Sequence, residues 1–135
     1  MRVIVNIDVP ALEPAIAFYG AALGLRLQRV IDGDVAELAG ASTMIYLLRN
    51  PAGSAPVKAL PAVRDYARHW TPVHMDFVVD DVFEAAKRAL DAGATQESEW
   101  VEWRGSRCIT FSDPFGHGFC LIEFADETYA SDDAA

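Results

Sequence analysis

The chain is written twice. VIVNID, from Val3 to Asp8, runs into VPALEPAIAFYGAALGLRL from Val9; VHMDFV, from Val73 to Val78, runs into VDDVFEAAKRALDAGATQE from Val79. Setting Val9 on Val79, an offset of 70, brings Leu12 onto Val82 and Ile4 onto His74. Self-similarity at this length marks a duplicated unit. Each copy has a short β-rich run, then a helix stopped by glycine, then more strands.

Apolar spacing predicts a first helix over about Leu12 to Leu23, with Leu12, Ile16, Tyr19 and Leu23 as its buried face and Gly24 as the C-cap. Pro14 falls in the first turn, where its missing N–H costs little. The second helix has Asp81 as N-cap with Glu84 three residues on, a capping-box pattern, and ends at Gly93. LRLQRVI and DVAELA flank Asp32-Gly33, a two-residue hairpin signal. TMIYLL closes the first copy. ATQESEWVEW and RCITF flank Arg104-Gly105-Ser106, and HGFCLIEF closes the second. Each module therefore reads β-α-β-β-β. The boundaries expected within a single domain, 1–135, are module one over about 1–50, a linker over about 51–70, module two over about 71–125 and a frayed acidic tail over 126–135. The linker is rich in Pro and Ala, with a short helix expected in its second part.

Composition narrows the function. With 52% apolar residues the chain has the makings of a core. A net charge of −9 argues against nucleic acid, whose phosphates it would repel. Cys108 and Cys120 lack the density of a disulfide scaffold and read as free thiols in apolar strands. No apolar run is long enough for a bilayer, and the start has no apolar segment followed by a cleavage site. The expectation is a soluble, cytoplasmic protein with no membrane partner.

Three stretches, AIAFYGAALGLRL, VHMDFVVDDVFEAAKRALDAGA and DPFGHGFCLIEF, resemble the helix, second-module and closing signatures of the vicinal oxygen chelate superfamily, which includes glyoxalase I, extradiol dioxygenases and bleomycin-resistance proteins. The resemblance spans about residues 2 to 125. It implies an α+β fold in which two tandem βαβββ modules form a cup-shaped mixed sheet, usually as a homodimer. Metal-binding members hold a divalent ion with His, Gln or Glu from the first and last strands of the modules. His74 matches one such position, and its counterpart in module one is Ile4. Cys120 matches another, and its counterpart is Ile45 or Tyr46. An ion with sites open to substrate needs about three protein ligands. Glu123 faces away from Cys120 if the strand alternates regularly. By the same alternation His74 and Asp76 share a face, as do Asn6 and Asp8, giving a polar cluster inside the cup.

Two functional readings follow from the resemblance. In the first, the chain binds a small organic ligand, its metal site is degraded and it carries no cofactor. His74 is then hydrogen-bonded to Asp76, and the pocket is drawn from Asn6, Asp8, Tyr46, Trp70, Phe111, Phe119 and Cys120. In the second, it is a divalent-metal-dependent lyase, isomerase or dioxygenase, with His74 as metal ligand or as general base oriented by Asp76. Cys120 would then be a ligand or a thiol nucleophile. Outside the pocket, His117 is expected at a turn, Glu123 outward, and Arg104 and Arg107 at a solvated turn.

Overall fold

A computed structural model describes residues 1–131. The part of the expected frayed tail over 132–135 lies outside the described residues. The chain divides into two compact units, Met1–Ala67 and a second from Arg68 onward, with the division inside the expected linker.

The first unit contains β1 (Val5–Val9), α1 (Leu12–Leu23), β2 (Arg26–Ile31), β3 (Val35–Ala39) and β4 (Ile45–Arg49). The sheet order is β1-β4-β3-β2, with β1 parallel to β4 and the other pairs antiparallel. Side chains alternate across each strand, so Ile7, Val9, Ala36, Leu38, Ile45 and Leu47 are buried on the face that α1 covers. The helix spans the expected residues, but its buried face is Ala15, Phe18, Tyr19 and Ala22, with Leu12, Ile16 and Leu23 only half-buried at its flanks. This helix is apolar almost all round, so periodicity alone did not single out the packed stripe. Gly24 (φ 69°) ends it, its N–H donating back to the Gly20 carbonyl while the Leu25 N–H donates to the Tyr19 carbonyl.

The second unit repeats the plan with β5 (Met75–Val78), α2 (Val82–Ala92), β6 (Thr95–Gln96), β7 (Val101–Trp103), β8 (Ser106–Ser112) and β9 (Gly118–Phe124). Its order is β5-β9-β8-β6, with β7 also paired to β8 and β5 parallel to β9. The strand expected over ATQESEWVEW is split. Ser98 Oγ accepts from the Thr110 N–H (3.1 Å) and donates to the Glu99 carbonyl (2.9 Å), while Gln96 Nε2 donates to the Ser98 carbonyl (2.8 Å). Such local bonds compete with the ladder and bend the chain. Both hairpins turn through two residues of positive φ, Asp32-Gly33 (52°, 72°) and Arg104-Gly105 (49°, 76°); Ser106 already pairs with Trp103.

Two expectations need correction. The linker forms no helix. Pro56 and Pro61 cannot donate along one, and the segment is pinned instead by reciprocal backbone bonds, Gly53 N–H to the Arg64 carbonyl (2.8 Å) and Arg64 N–H to the Ser54 carbonyl (2.9 Å). The tail does not fray at Asp126. The Ala130 N–H donates to the Arg104 carbonyl (2.7 Å), and the Arg104 guanidinium donates to the Ala130 carbonyl (3.1 Å). Among the described residues no helix is long and apolar enough to cross a membrane.

Candidate functional site

Each sheet has one face covered by its helix and one that is not. Strand register decides which residues share the second face. In the first unit Asn6 lies opposite Tyr46, Tyr46 opposite Glu37 and Glu37 opposite Arg29, one row across four strands. The Tyr46 hydroxyl donates to Glu37 Oε2 (2.8 Å), and Arg29 grips the same carboxylate through Nε (3.2 Å) and Nη2 (3.3 Å). The hydrogen bond from Arg29, then that from Tyr46, holds the Glu37 carboxyl below its ordinary range. Donating to Glu37 raises the Tyr46 phenol. Sequence reading missed Glu37, although the alternation in DVAELA was enough to place it. Asp8 is drawn into the linker, accepting from Arg64 Nε (2.7 Å) and Asn50 Nδ2 (2.9 Å). Asn6 is exposed on the same face.

In the second unit Asp76 lies opposite Cys120, and Cys120 opposite Thr110. The equivalence of Asn6–Tyr46 with Asp76–Cys120 resolves the counterpart of Cys120 as Tyr46. His74 Nε2 sits 3.2 Å from an Asp76 carboxylate oxygen, both side chains well exposed. The His74 ring lies 4.6 Å from that of Trp70. Trp70 rests on Gly118 so closely that a Cβ there would be 2.6 Å from the indole, so this position requires glycine. The preceding residue is fastened too: the His69 N–H donates to Gly116, and the Gly118 N–H to His69. His117 stands at the turn and pairs with His69 (3.3 Å), while buried Asp113 accepts from the Phe115 and His117 N–H groups.

The ligand atoms of His74, Asp76 and Cys120 all lie within 4.8 Å of one another. Cys120 is buried, only 5% exposed. Burial first, then its contact with Cys108, pushes its thiol far above the ordinary range; burial pushes Cys108 up as well. Both cysteines are therefore neutral thiols, not ready nucleophiles.

Other expected residues lie elsewhere. Phe111 and Phe119 are 0% and 1% exposed and stack on each other, centroids 5.6 Å apart, on the helix side of the sheet. Residue 119 must face opposite to residue 120, so one strand could not send both into a pocket. They are core, not pocket wall. Glu123 does face away from Cys120, but it is not idle: its Oε1 accepts from the Val82 N–H (2.9 Å) at the start of α2. Arg104 and Arg107 lie 5.5 and 5.9 Å over Trp103 and Trp100.

A hard ion ligated by carboxylates and imidazoles of both modules does not fit these residues. The module-one positions hold Ile4, which has no donor atom, and Tyr46, whose hydroxyl is committed to Glu37. The second unit alone offers one nitrogen, one carboxylate and one sulfur.

Each unit has a parallel first-to-last strand pair and a sheet face that its helix leaves open, and residues 4–122 match the model of a glyoxalase-like domain. The chain belongs to that glyoxalase-like family, within the vicinal oxygen chelate group. Its fold is similar to the fosfomycin resistance protein FosX from Listeria monocytogenes (TM-score 0.70, 19% identity, 94% of this chain and 95% of that one). It is also similar to a lactoylglutathione lyase from Agrobacterium tumefaciens (TM-score 0.64, 21% identity, 91% and 92%). A third likeness is to a glyoxalase/bleomycin resistance protein/dioxygenase from Nocardioides (TM-score 0.63, 20% identity, 98% and 89%). These identities carry the fold alone. No curated protein matches the chain.

Proposed function

We propose that this chain is a small-molecule-binding protein of the glyoxalase and bleomycin-resistance type in which the family's metal site has been lost. The observation that supports it is the register: the two equivalent last-strand positions hold Tyr46 and Cys120, opposite Asn6 and Asp76. The open face of each unit keeps what organic ligands need, apolar and aromatic surface with a few placed polar groups. Tyr46 in the first unit and Trp70, His74 and Asp76 in the second belong to this reading, and a net charge of −9 favours cationic or neutral ligands by long-range steering. The proposal includes a homodimer, checked by light scattering, and a cytoplasmic setting, which suits two unpaired cysteines.

A second reading draws on the His74–Asp76–Cys120 grouping. A nitrogen, oxygen and sulfur set suits a borderline or soft ion better than magnesium or calcium, and would support a metal-dependent lyase, isomerase or dioxygenase. One measurement separates the two: elemental analysis after loading with Zn, Ni, Mn or Fe(II) and desalting, with His74→Ala alongside. The binding reading expects no stoichiometric ion, and saturable binding when aromatic and cationic metabolites are screened. A near-stoichiometric ion that His74→Ala abolishes would sink it in favour of the enzyme.

A further inference from the structure

The open face of the second sheet is not bare. After β9 the chain folds back, and Tyr129 lodges against two rings of that face. Its centroid lies 4.8 Å from Phe124 at 87° and 5.1 Å from Trp103 at 62°, both edge-on contacts. Register puts these rings with the thiols. Trp103 pairs with Ser106, Ser106 with Phe124 and Cys108 with Ile122, and alternation carries the same side to Cys120 and Asp76. Burial first, then the Asp76 carboxylate, raises the Tyr129 phenol.

Among the described residues, the backbone hydrogen bonds that fasten the segment lie at its ends. The Ala125 N–H donates to the Gly105 carbonyl (2.8 Å) and Ala130 is doubly bonded to Arg104, while Asp126 to Tyr129 stay exposed. A cleft of about 400 Å³ opens between the Arg104-Gly105 turn and the returning chain. A phenol ring is thus held by aromatic edges on the face where a ligand is expected, by a strap with few anchors.

We propose that Tyr129 is a built-in stand-in for the ligand: the open face of the second unit takes a flat, uncharged phenol-like ring between Trp103 and Phe124, and the strap over residues 125–131 must be displaced for such a ligand to enter. This rests on the small-molecule-binding reading and names the ligand class. Edge-to-face aromatic pairs contribute modestly, so an outside ring can compete with the tethered one. Tethering raises the effective concentration of Tyr129 to about the millimolar range, and untethered phenols are excluded until they match it.

The test uses the full chain and p-cresol as the probe, with binding followed by NMR shifts of the Trp103 indole N–H. Tyr129→Ala vacates the position and Tyr129→Phe keeps it filled. The expected result is saturable p-cresol binding to Tyr129→Ala, at least about tenfold weaker in the wild type and in Tyr129→Phe, as tethered competition requires. Equal binding to all three proteins, or none to Tyr129→Ala, would overturn the proposal. The broader reading fails separately: if p-cresol binds Tyr129→Ala but no metabolite binds the wild type, the ring-accepting face stands and the small-molecule-binding function falls.

Discussion

The two units share a frame and differ in what they place on either side of it. At the offset of 70, Ala15 and Ala85 are both fully packed under their sheets; Leu47 and Leu121, equivalent by register because each lies opposite the third residue of its unit's first strand, are both 0% exposed. The bulk filling the two cores comes from different elements. In the first unit the helix brings Phe18 and Tyr19, edge-on at 5.0 Å. In the second, α2 buries only Val82 and three alanines, and the strands bring Phe111 and Phe119. On the open faces the divergence is chemical: the first unit ties its charges into Arg29–Glu37–Tyr46, and the second leaves His74 and Asp76 beside two neutral thiols. A duplicated frame is constrained by the volume between helix and sheet, not by which side fills it, and its open face is free to change its chemistry.

The sharpest way to break this comparison is in the core. If Phe111 belongs to the packing, Phe111→Ala should destabilise by about 3–5 kcal/mol, as should Tyr19→Ala on the opposite kind of element. Urea unfolding measures both. A Phe111→Ala protein of undiminished stability would return that ring to the ligand face.

The next effect concerns the thiols. Neutral Cys108 and Cys120 are favoured in the fold, so ionising them opposes folding. Their contribution is complete below the ordinary thiol pKa of about 8.5 and is lost as pH rises above it toward the raised folded values. At pH 9, where a free thiol is mostly thiolate, alkylation by N-ethylmaleimide should run at least about tenfold slower than for the unfolded chain. Alkylation at the unfolded rate would mean the second face does not shelter its sulfurs.

Much of this was legible beforehand. The duplication, both helix spans, the two-residue turn at Asp32-Gly33 and the opposite facing of Cys120 and Glu123 all follow from local rules of spacing and alternation. What was not legible depends on partners distant in sequence. Phe111 and Phe119 look like pocket aromatics until register fixes their side. Glu123 looks outward until its carboxylate is found on the Val82 N–H, 41 residues away. The linker's second half has helical composition, but Arg64 bridges Ser54 and Asp8 instead. Tyr129 carried no signal, because nothing in an acidic tail shows which strand face it will return to.

The smallest effect lies at the helix starts. In α2, Asp81 accepts from the Phe83 and Glu84 N–H groups at 3.1 Å, and Glu123 takes the Val82 N–H. In α1 the N-cap is Ala11, with no side-chain acceptor. Asp81→Ala should therefore cost about 1 kcal/mol. The reverse change, Ala11→Ser, should stabilise, because Ala11 already has the extended backbone of an N-cap (φ −149°, ψ 138°) and nothing must move to admit the hydroxyl. The gain should be only a few tenths of a kcal/mol, about half a usual cap or less. Pro14 occupies the third helical position and has no N–H to donate, which leaves the Glu13 N–H as the acceptable partner. Paired thermal melts should show a clear fall for Asp81→Ala and a slight rise for Ala11→Ser. Equal and opposite shifts would mean that Pro14 does not limit the first helix, and that the two units differ less at their helix starts than on their open faces.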